Sequence, residues 1–201
     1  VSNVTTKDSL EAIKRGKEQG IKITCDTSPS YFCLNELELS SYNTSFKLSP
    51  PLRSEEDRLS IINGIKDGTI DIISSDHHPR SKDTKILPFS SASTGAAGLE
   101  TLLPLTLSLV NQGLIDILKA IKMLTINPAK IFKITLPEIS KGSLATFIIF
   151  DLQKSHIINQ EKLLSNPTPF HKRPVEGMNL ASFINGEIVY LSDEFRALKN
   201  V

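Results

Sequence analysis

The chain has 201 residues, of which 39% are hydrophobic and 22% charged, with a formal net charge of +1. That is enough apolar material for the core of one ordinary domain, but short of the about 250 residues of a complete α/β barrel. The balanced charge, with no compact Lys/Arg block among aromatics, leaves no general field for nucleic acid. The longest apolar runs, such as residues 144–150, stop well before the roughly 20 residues that span a bilayer. No charged-then-apolar export pattern opens the chain, which reads as a soluble, cytoplasmic protein. Cys25 and Cys33 lie too far apart for a redox CxxC and outside any metal knuckle, and read as buried thiols.

Thr6-Lys7-Asp8-Ser9 opens a helix in which Leu10 and Ile13 share a face, and Gly20 stops it. A strand over residues 21–25, a turn over 26–30 and a short helix over 34–39 above a barrel mouth follow. Ser54 caps a helix over 55–66 with Asp57 at its third position, and a short connection at Asp67-Gly68-Thr69 leads into a strand over 70–74. This repeated helix-to-strand order predicts the α/β class. Residues 74–98, rich in Ser, Gly, Pro and charge, predict an excursion that closes over a ligand, with disorder as the plain alternative. Helices are expected over 99–110, where Pro104 should kink the helix or terminate its first turn, over 115–124, and from Pro128 with Asn127 as its cap.

Beyond residue 134 the pattern turns to strands, over 142–151 and in a hairpin over 181–190 about Asn185-Gly186. Residues 166–170 read as loop and 194–200 as a short tail. The resulting division is a partial barrel over 1–135 and a flanking β region with tail over 136–201. No internal repeat is visible.

The most informative stretch is Ile72-Ile73-Ser74-Ser75-Asp76-His77-His78-Pro79-Arg80. An apolar strand there delivers a carboxylate and two imidazoles into a turn, and α/β barrels do their chemistry at the C-terminal ends of strands. Asp76 has three readings: a metal ligand, a proton acceptor for a metal-bound water, and a cap of the next turn. His77 and His78 would point to opposite sides of a regular strand, so without a bend only one serves a single site. A hydrolytic zinc site gathers three or more His, Asp or Glu ligands, and the other histidines, His156 and His171, read as surface residues of the later region. Lys47, Arg53 and Arg80 are candidates for an anionic substrate, with solvated ion pairs as the alternative. Gly95-Ala96-Ala97-Gly98 lacks the spacing of a phosphate loop and is either a close backbone approach to a ligand or a turn.

Phe46-Lys47-Leu48-Ser49-Pro50-Pro51-Leu52-Arg53-Ser54-Glu55-Glu56-Asp57-Arg58, Asp67-Gly68-Thr69-Ile70-Asp71, Asp76-His77, Gly98-Leu99-Glu100-Thr101 and Leu124-Thr125-Ile126-Asn127-Pro128-Ala129-Lys130 together resemble the bacterial dihydroorotases, within the amidohydrolases. The resemblance runs over essentially the whole chain and implies the C-terminal part of a (β/α)8 TIM barrel of amidohydrolase type with strands of a small flanking β domain. It implies a zinc enzyme of pyrimidine synthesis that interconverts dihydroorotate and carbamoyl aspartate. Asp76 would be the late aspartate beside the metal that activates the bridging water. His77, Ser49, Gly95 and Arg53 would lie at the substrate, and residues 92–98 would form the loop that closes on it.

Departures from the family pattern bear on the metal. The family's His-x-His pair and its metal-bridging residue belong to an N-terminal half that is absent here, and a further histidine is expected just before Val1. Ser28-Pro29-Ser30-Tyr31 stands in place of Thr-Pro-His-His, Ser49 and Ser45 in place of asparagines, and Arg80 in place of a histidine. The resemblance therefore implies zinc for the family while this chain lacks most of the ligands. One reading is a C-terminal portion of a dihydroorotase, inactive as the isolated chain. Another is a noncatalytic dihydroorotase-like subunit that binds and stabilises aspartate transcarbamoylase, and a third is an eroded product without activity. Half a barrel exposes sheet edges and apolar faces, so a homo-oligomer or pairing with the missing half is expected.

Overall fold

A computed structural model describes residues 1–198, and residues 199–201, the end of the expected tail, lie outside the described residues. In chain order the elements are α1 (Lys7–Glu18), β1 (Asp26–Thr27), α2 (Pro29–Cys33), α3 (Glu55–Asp67), β2 (Ile72–Ile73), α4 (Lys82–Lys85), α5 (Leu102–Asn111), α6 (Ile117–Leu124), α7 (Ile126–Phe132), β3 (Phe147–Ile157), β4 (Pro174–Ile184), β5 (Glu187–Leu191) and α8 (Asp193–Leu198). Short 3₁₀ turns at Glu36–Ser41, Thr44–Phe46 and Gln160–Lys162 punctuate the loops.

Local chemistry starts α1 and α3 where the sequence predicts. The Thr6 hydroxyl accepts the Ser9 amide at the head of α1, which buries Leu10 and Ile13. At α3 the Ser54 hydroxyl accepts the Asp57 amide at 3.2 Å and donates to the Asp57 carboxylate at 2.8 Å, satisfying a helix-end donor that would otherwise lack a partner.

β1 and β2 pair in parallel, with Asp26 opposite Ile72 and Thr27 opposite Ile73. On the other side of β1 the first residues of the chain join the ladder: the Asp26 amide donates to the Val1 carbonyl at 3.1 Å and the Val4 amide to the Asp26 carbonyl at 2.9 Å. At the opposite ends of these strands the Asp71 carboxylate accepts the Cys25 amide at 2.8 Å and the Lys17 ammonium at 2.7 Å. The Asp71 carbonyl accepts the Asn127 amide group at 2.7 Å.

Several boundaries differ from expectation, each for a local reason. The strand expected over 21–25 is displaced to Asp26–Thr27, because the Ile23 amide folds back onto the Ile21 carbonyl at 2.9 Å and breaks the extension. The turn expected over 26–30 is instead the end of β1 and the first turn of α2. Pro104 does not end α5, since it lies in the first turn, where its missing N–H would have no helical acceptor. Asn127 does not cap α7, which begins after Thr125; its side chain is committed to Asp71.

β3, β4 and β5 form an antiparallel sheet in that order, and β4 turns into β5 at Asn185-Gly186, whose φ values of 51° and 90° are those of a two-residue hairpin turn. One core cluster joins α1, α3, α5 and α6 through Leu10, Ile61, Ile65, Leu109 and Met123. A second carries Leu48, Leu105, Phe170 and Val175, and so ties the helical layer to the sheet. The seam is close at Gly177, where an added Cβ would come within 2.5 Å of Leu107 Cδ1 and φ is +101°. The sheet leaves Ile148, Ile184, Ile188 and Tyr190 exposed. No helix among the described residues is long and apolar enough to cross a membrane.

Gly177→Ala should therefore destabilise the protein by about 1–3 kcal/mol in urea unfolding, through overpacking and backbone strain. Adding Leu107→Ala should leave the two costs well short of additive, because the first collision disappears; strictly additive losses would show that the seam relaxes around the new methyl.

Candidate functional site

Three parallel segments end on the same side, and polar side chains collect there. Asn3 (φ 53°) and Asp76 (φ 46°) both adopt the left-handed backbone that Asn and Asp tolerate better than most residues. Their side chains meet: Asn3 Nδ2 donates to Asp76 Oδ1 at 2.9 Å. Tyr31, from the first turns after β1, places its hydroxyl 2.9 Å from the Pro50 carbonyl oxygen and 3.4 Å from Asp76 Oδ2. His78 Nδ1 lies 3.2 Å from Asp76 Oδ1, and whereas 61% of the His78 side chain is exposed, only 8% of Asp76 is. The carboxylate thus sits under a solvent-facing imidazole and between two neutral donors.

The adjacent histidines do part company. His77 Nδ1 accepts the Gly98 amide at 3.3 Å and the Leu99 amide at 3.1 Å. Through these two contacts the His77 ring holds the end of the 74–98 excursion. That excursion is packed rather than loose: the His78 amide donates to the Ala96 carbonyl and the Gly95 amide to the Lys47 carbonyl, both at 2.9 Å. Gly95 has φ +109°, and a Cβ there would fall 2.7 Å from the His78 carbonyl oxygen. Its place in the loop therefore follows from close packing whether or not a ligand arrives.

The remaining sequence candidates divide. Arg53 is half-buried near Tyr31, and its Nε is buried without a hydrogen-bond partner. Ser49 is exposed beside it in the chain. Lys47 Nζ donates to the Phe89 and Ser90 carbonyls at 2.7 and 2.8 Å, and Arg80 Nε to the Thr94 carbonyl at 2.7 Å. His156 and His171 lie away from the group, in β3 and after Phe170, where His171 Nδ1 accepts the Gln160 amide.

Sequence reasoning named Tyr31 only as a lost ligand and passed over Asn3. The available signal for Asn3 was topological, since it stands at the end of an extended segment just before a capped helix, as Asp76 stands just beyond β2. Burial first, and then the negative charge of Asp76, pushes the Tyr31 phenol well above its ordinary 10.0. It therefore keeps its proton throughout the physiological range, and that single O–H is shared between the Pro50 carbonyl and Asp76 Oδ2.

The donor set does not fit a hydrolytic zinc ion. Such an ion needs three or four lone pairs converging on one point, and among the described residues no group of three His, Cys, Asp or Glu side chains does so. Asn3 and Tyr31 turn N–H and O–H donors toward the carboxylate and so add no further lone pairs to it.

The description "Amidohydrolase family" matches residues 2–189. The chain belongs to the amidohydrolase family. It is 40% identical over 192 residues to a dihydroorotase of Ehrlichia canis (strain Jake), covering 94% of this chain and 43% of that protein. A dihydroorotase of Anaplasma phagocytophilum (strain HZ) is 38% identical over 195 residues, covering 96% and 44%. The chain thus spans less than half the length of these curated relatives, and within the family it is dihydroorotase-like.

Among solved structures, the L-hydantoinase (dihydropyrimidinase) of Arthrobacter aurescens superposes with a TM-score of 0.88 at 27% identity, over 95% of this chain and 44% of that one. The inactive dihydroorotase-like domain of the Chaetomium thermophilum CAD-like multifunctional protein shares the fold, with a TM-score of 0.73 at 22% identity over 95% and 50%. The helix-to-strand units and their adjoining sheet are accordingly part of the amidohydrolase barrel fold, as the resemblance implied.

A raised folded-state pKa at Tyr31 makes its neutral form a source of stability that is complete below the unfolded tyrosine value of about 10 and is lost as pH climbs beyond it. Absorbance titration should show one of the three tyrosines resisting ionisation above pH 10, and Tyr31→Phe should remove that component and flatten the alkaline loss of stability. A Tyr31→Phe protein with an unchanged alkaline limb would contradict the contact with Asp76.

Proposed function

We propose that this chain is the C-terminal portion of a dihydroorotase-like cyclic amidohydrolase, from the chemistry that interconverts dihydroorotate and N-carbamoyl-L-aspartate in pyrimidine biosynthesis, and that the isolated chain does not turn over. The observation that carries this is the setting of Asp76. It stands at the C-terminal ends of parallel strands, where barrel enzymes place their catalytic groups, yet is held by Asn3 and Tyr31 in place of metal ligands. The reading divides the chain into a partial barrel over 1–135 and a flanking β region over 136–201. It keeps Asp76 as the ancestral proton-accepting and metal-binding position, with His77, Ser49, Gly95 and Arg53 along the substrate path.

Zinc enters the proposal as a property of the family, and retained zinc by this chain does not. Asp76 keeps its position and its low exposure, but a nucleophilic water needs a Lewis acid or a strong base beside it, and neutral amide and phenol donors supply neither. The buried Tyr31 contact favours a second reading, a noncatalytic cytoplasmic subunit that binds a partner such as aspartate transcarbamoylase. In both readings the exposed apolar side of the sheet meets another polypeptide, a second copy or an N-terminal half.

Purified chain supplied with zinc should give no detectable dihydroorotate hydrolysis and should retain less than one zinc per chain by elemental analysis after desalting. Turnover that disappears in Asp76→Ala would sink the inactive reading and show that the chain assembles a complete site.

A further inference from the structure

Between the helices and the sheet lies a cavity of about 510 Å³ that shares no lining residue with the Asp76 group. Phe32 on α2, Ile62 on α3, Leu105 on α5 and Val175 on β4 supply its apolar walls, and all four are buried. Arg58 and Arg173 also line it. The volume falls within the roughly 300–1,000 Å³ of small-molecule sites, which likewise combine apolar walls with a few fixed polar groups.

Two successive backbone carbonyls bring the guanidinium groups together. Arg58 Nη1 donates to the Phe32 carbonyl at 2.9 Å and Arg173 Nη1 to the Cys33 carbonyl at 3.4 Å. Arg58 is answered by Glu55, which takes its Nε and Nη2. Arg173 is not: among the described residues it forms no ion pair, and beyond the Cys33 bond its side-chain N–H groups have no acceptor. It is nonetheless held in place, since its guanidinium carbon lies 5.8 Å from the centre of the buried Phe170 ring. The remaining charge on the lining, Glu176, is exposed and accepts the Asn111 amide at 2.8 Å. Desolvation pushes the Cys33 thiol up to about 11, so that part of the wall is uncharged.

We propose that this cavity binds a small amphipathic carboxylate, an apolar body that ends in a single carboxylate group. The head meets the open edge of the Arg173 guanidinium, whose planar fork pairs with both carboxylate oxygens, and the tail lies along Phe32, Ile62 and Leu105. One unanswered cation calls for one negative charge, and Glu176 on the same lining disfavours a more highly charged head such as a phosphate. The site uses neither a metal nor the Asp76 group, so it stands or falls independently of the proposed function. Arg58 and Arg173 belong to distant parts of the chain, and only the packing of β4 against the helices makes them neighbours.

Isothermal titration of the purified chain with octanoate, below micelle-forming concentrations, should give a saturable isotherm with about one site per chain. Octanol and octylamine, which carry the same apolar body without the negative charge, should bind at least about tenfold more weakly. Octyl phosphate should bind no more tightly than octanoate. Arg173→Gln should raise the Kd for octanoate about tenfold and leave that for octanol unchanged, as the loss of one charge-assisted contact requires. Ser108→Leu fills the cavity from α5 with a strong helix former and should abolish octanoate binding, with a melting curve to show that the variant is folded. The comparison of octanoate with octanol uses the unaltered chain, so it decides the matter even where a variant folds poorly. Octanol bound as tightly as octanoate, or octanoate binding that survives Ser108→Leu, would place the probe on exposed apolar residues such as Ile188 and overturn the site. Absence of saturation by octanoate would overturn it as well, and tighter binding of octyl phosphate would overturn the carboxylate assignment.

Discussion

Asp71 is the point at which the barrel part of this chain is tied together. One carboxylate oxygen takes the Cys25 amide and the Lys17 ammonium, while the backbone carbonyl takes Asn127, so α1, β1, β2 and α7 meet at a single residue. The Cys25 carbonyl returns the connection by accepting the Asp71 and Ile72 amides. A hydrogen bond to a charged group contributes about 1.5–3 kcal/mol, more than most exposed ion pairs, and here it also sets the register of a parallel pair only two residues long. With that register in place, Asp76 falls just past the end of β2, beside the end of β1 and the first residues of the chain.

The two ends of these strands use their carboxylates differently. Asp71 is matched by an ammonium and by a backbone amide, as befits a group that holds elements in place. Asp76, nearly out of solvent, is matched by the neutral donors Asn3 and Tyr31 and by an exposed imidazole. A buried carboxylate needs its charge answered, and hydrogen bonds do so without the converging lone pairs that a metal demands. The Asp71 tie lies apart from the site, whereas Tyr31 belongs both to the Asp76 group and to the second core cluster.

The loop over the site shows the same economy of contacts. His77 takes two amides at one end, Gly95 lies against the His78 carbonyl in its middle, and Lys85 anchors it from beneath. A stretch rich in Ser, Gly and Pro is ordered here by side chains that reach backbone groups rather than by a core of its own.

Local rules made much of this legible in the sequence. The Thr6 and Ser54 caps, the α1 and α3 faces, the Asn185-Gly186 hairpin and the position of Asp76 after a strand all depend on neighbours within a few residues, and the linear motifs sufficed to assign the family. Boundaries were lost where a distant partner intervened, as when Asn127 gave up a capping role to reach Asp71, or where a short backbone contact moved β1 past Cys25. The composition of the site was lost for the same reason. Asn3 and Asp76 are 73 residues apart, and Tyr31 and Asp76 are 45 apart. Spacing along a chain carries no record of such meetings, nor of Lys85 becoming buried against the Thr44 and Lys47 carbonyls. Sequence determined which groups were available and where strands and helices begin; only tertiary packing decided which polar atoms left water together and had to satisfy one another.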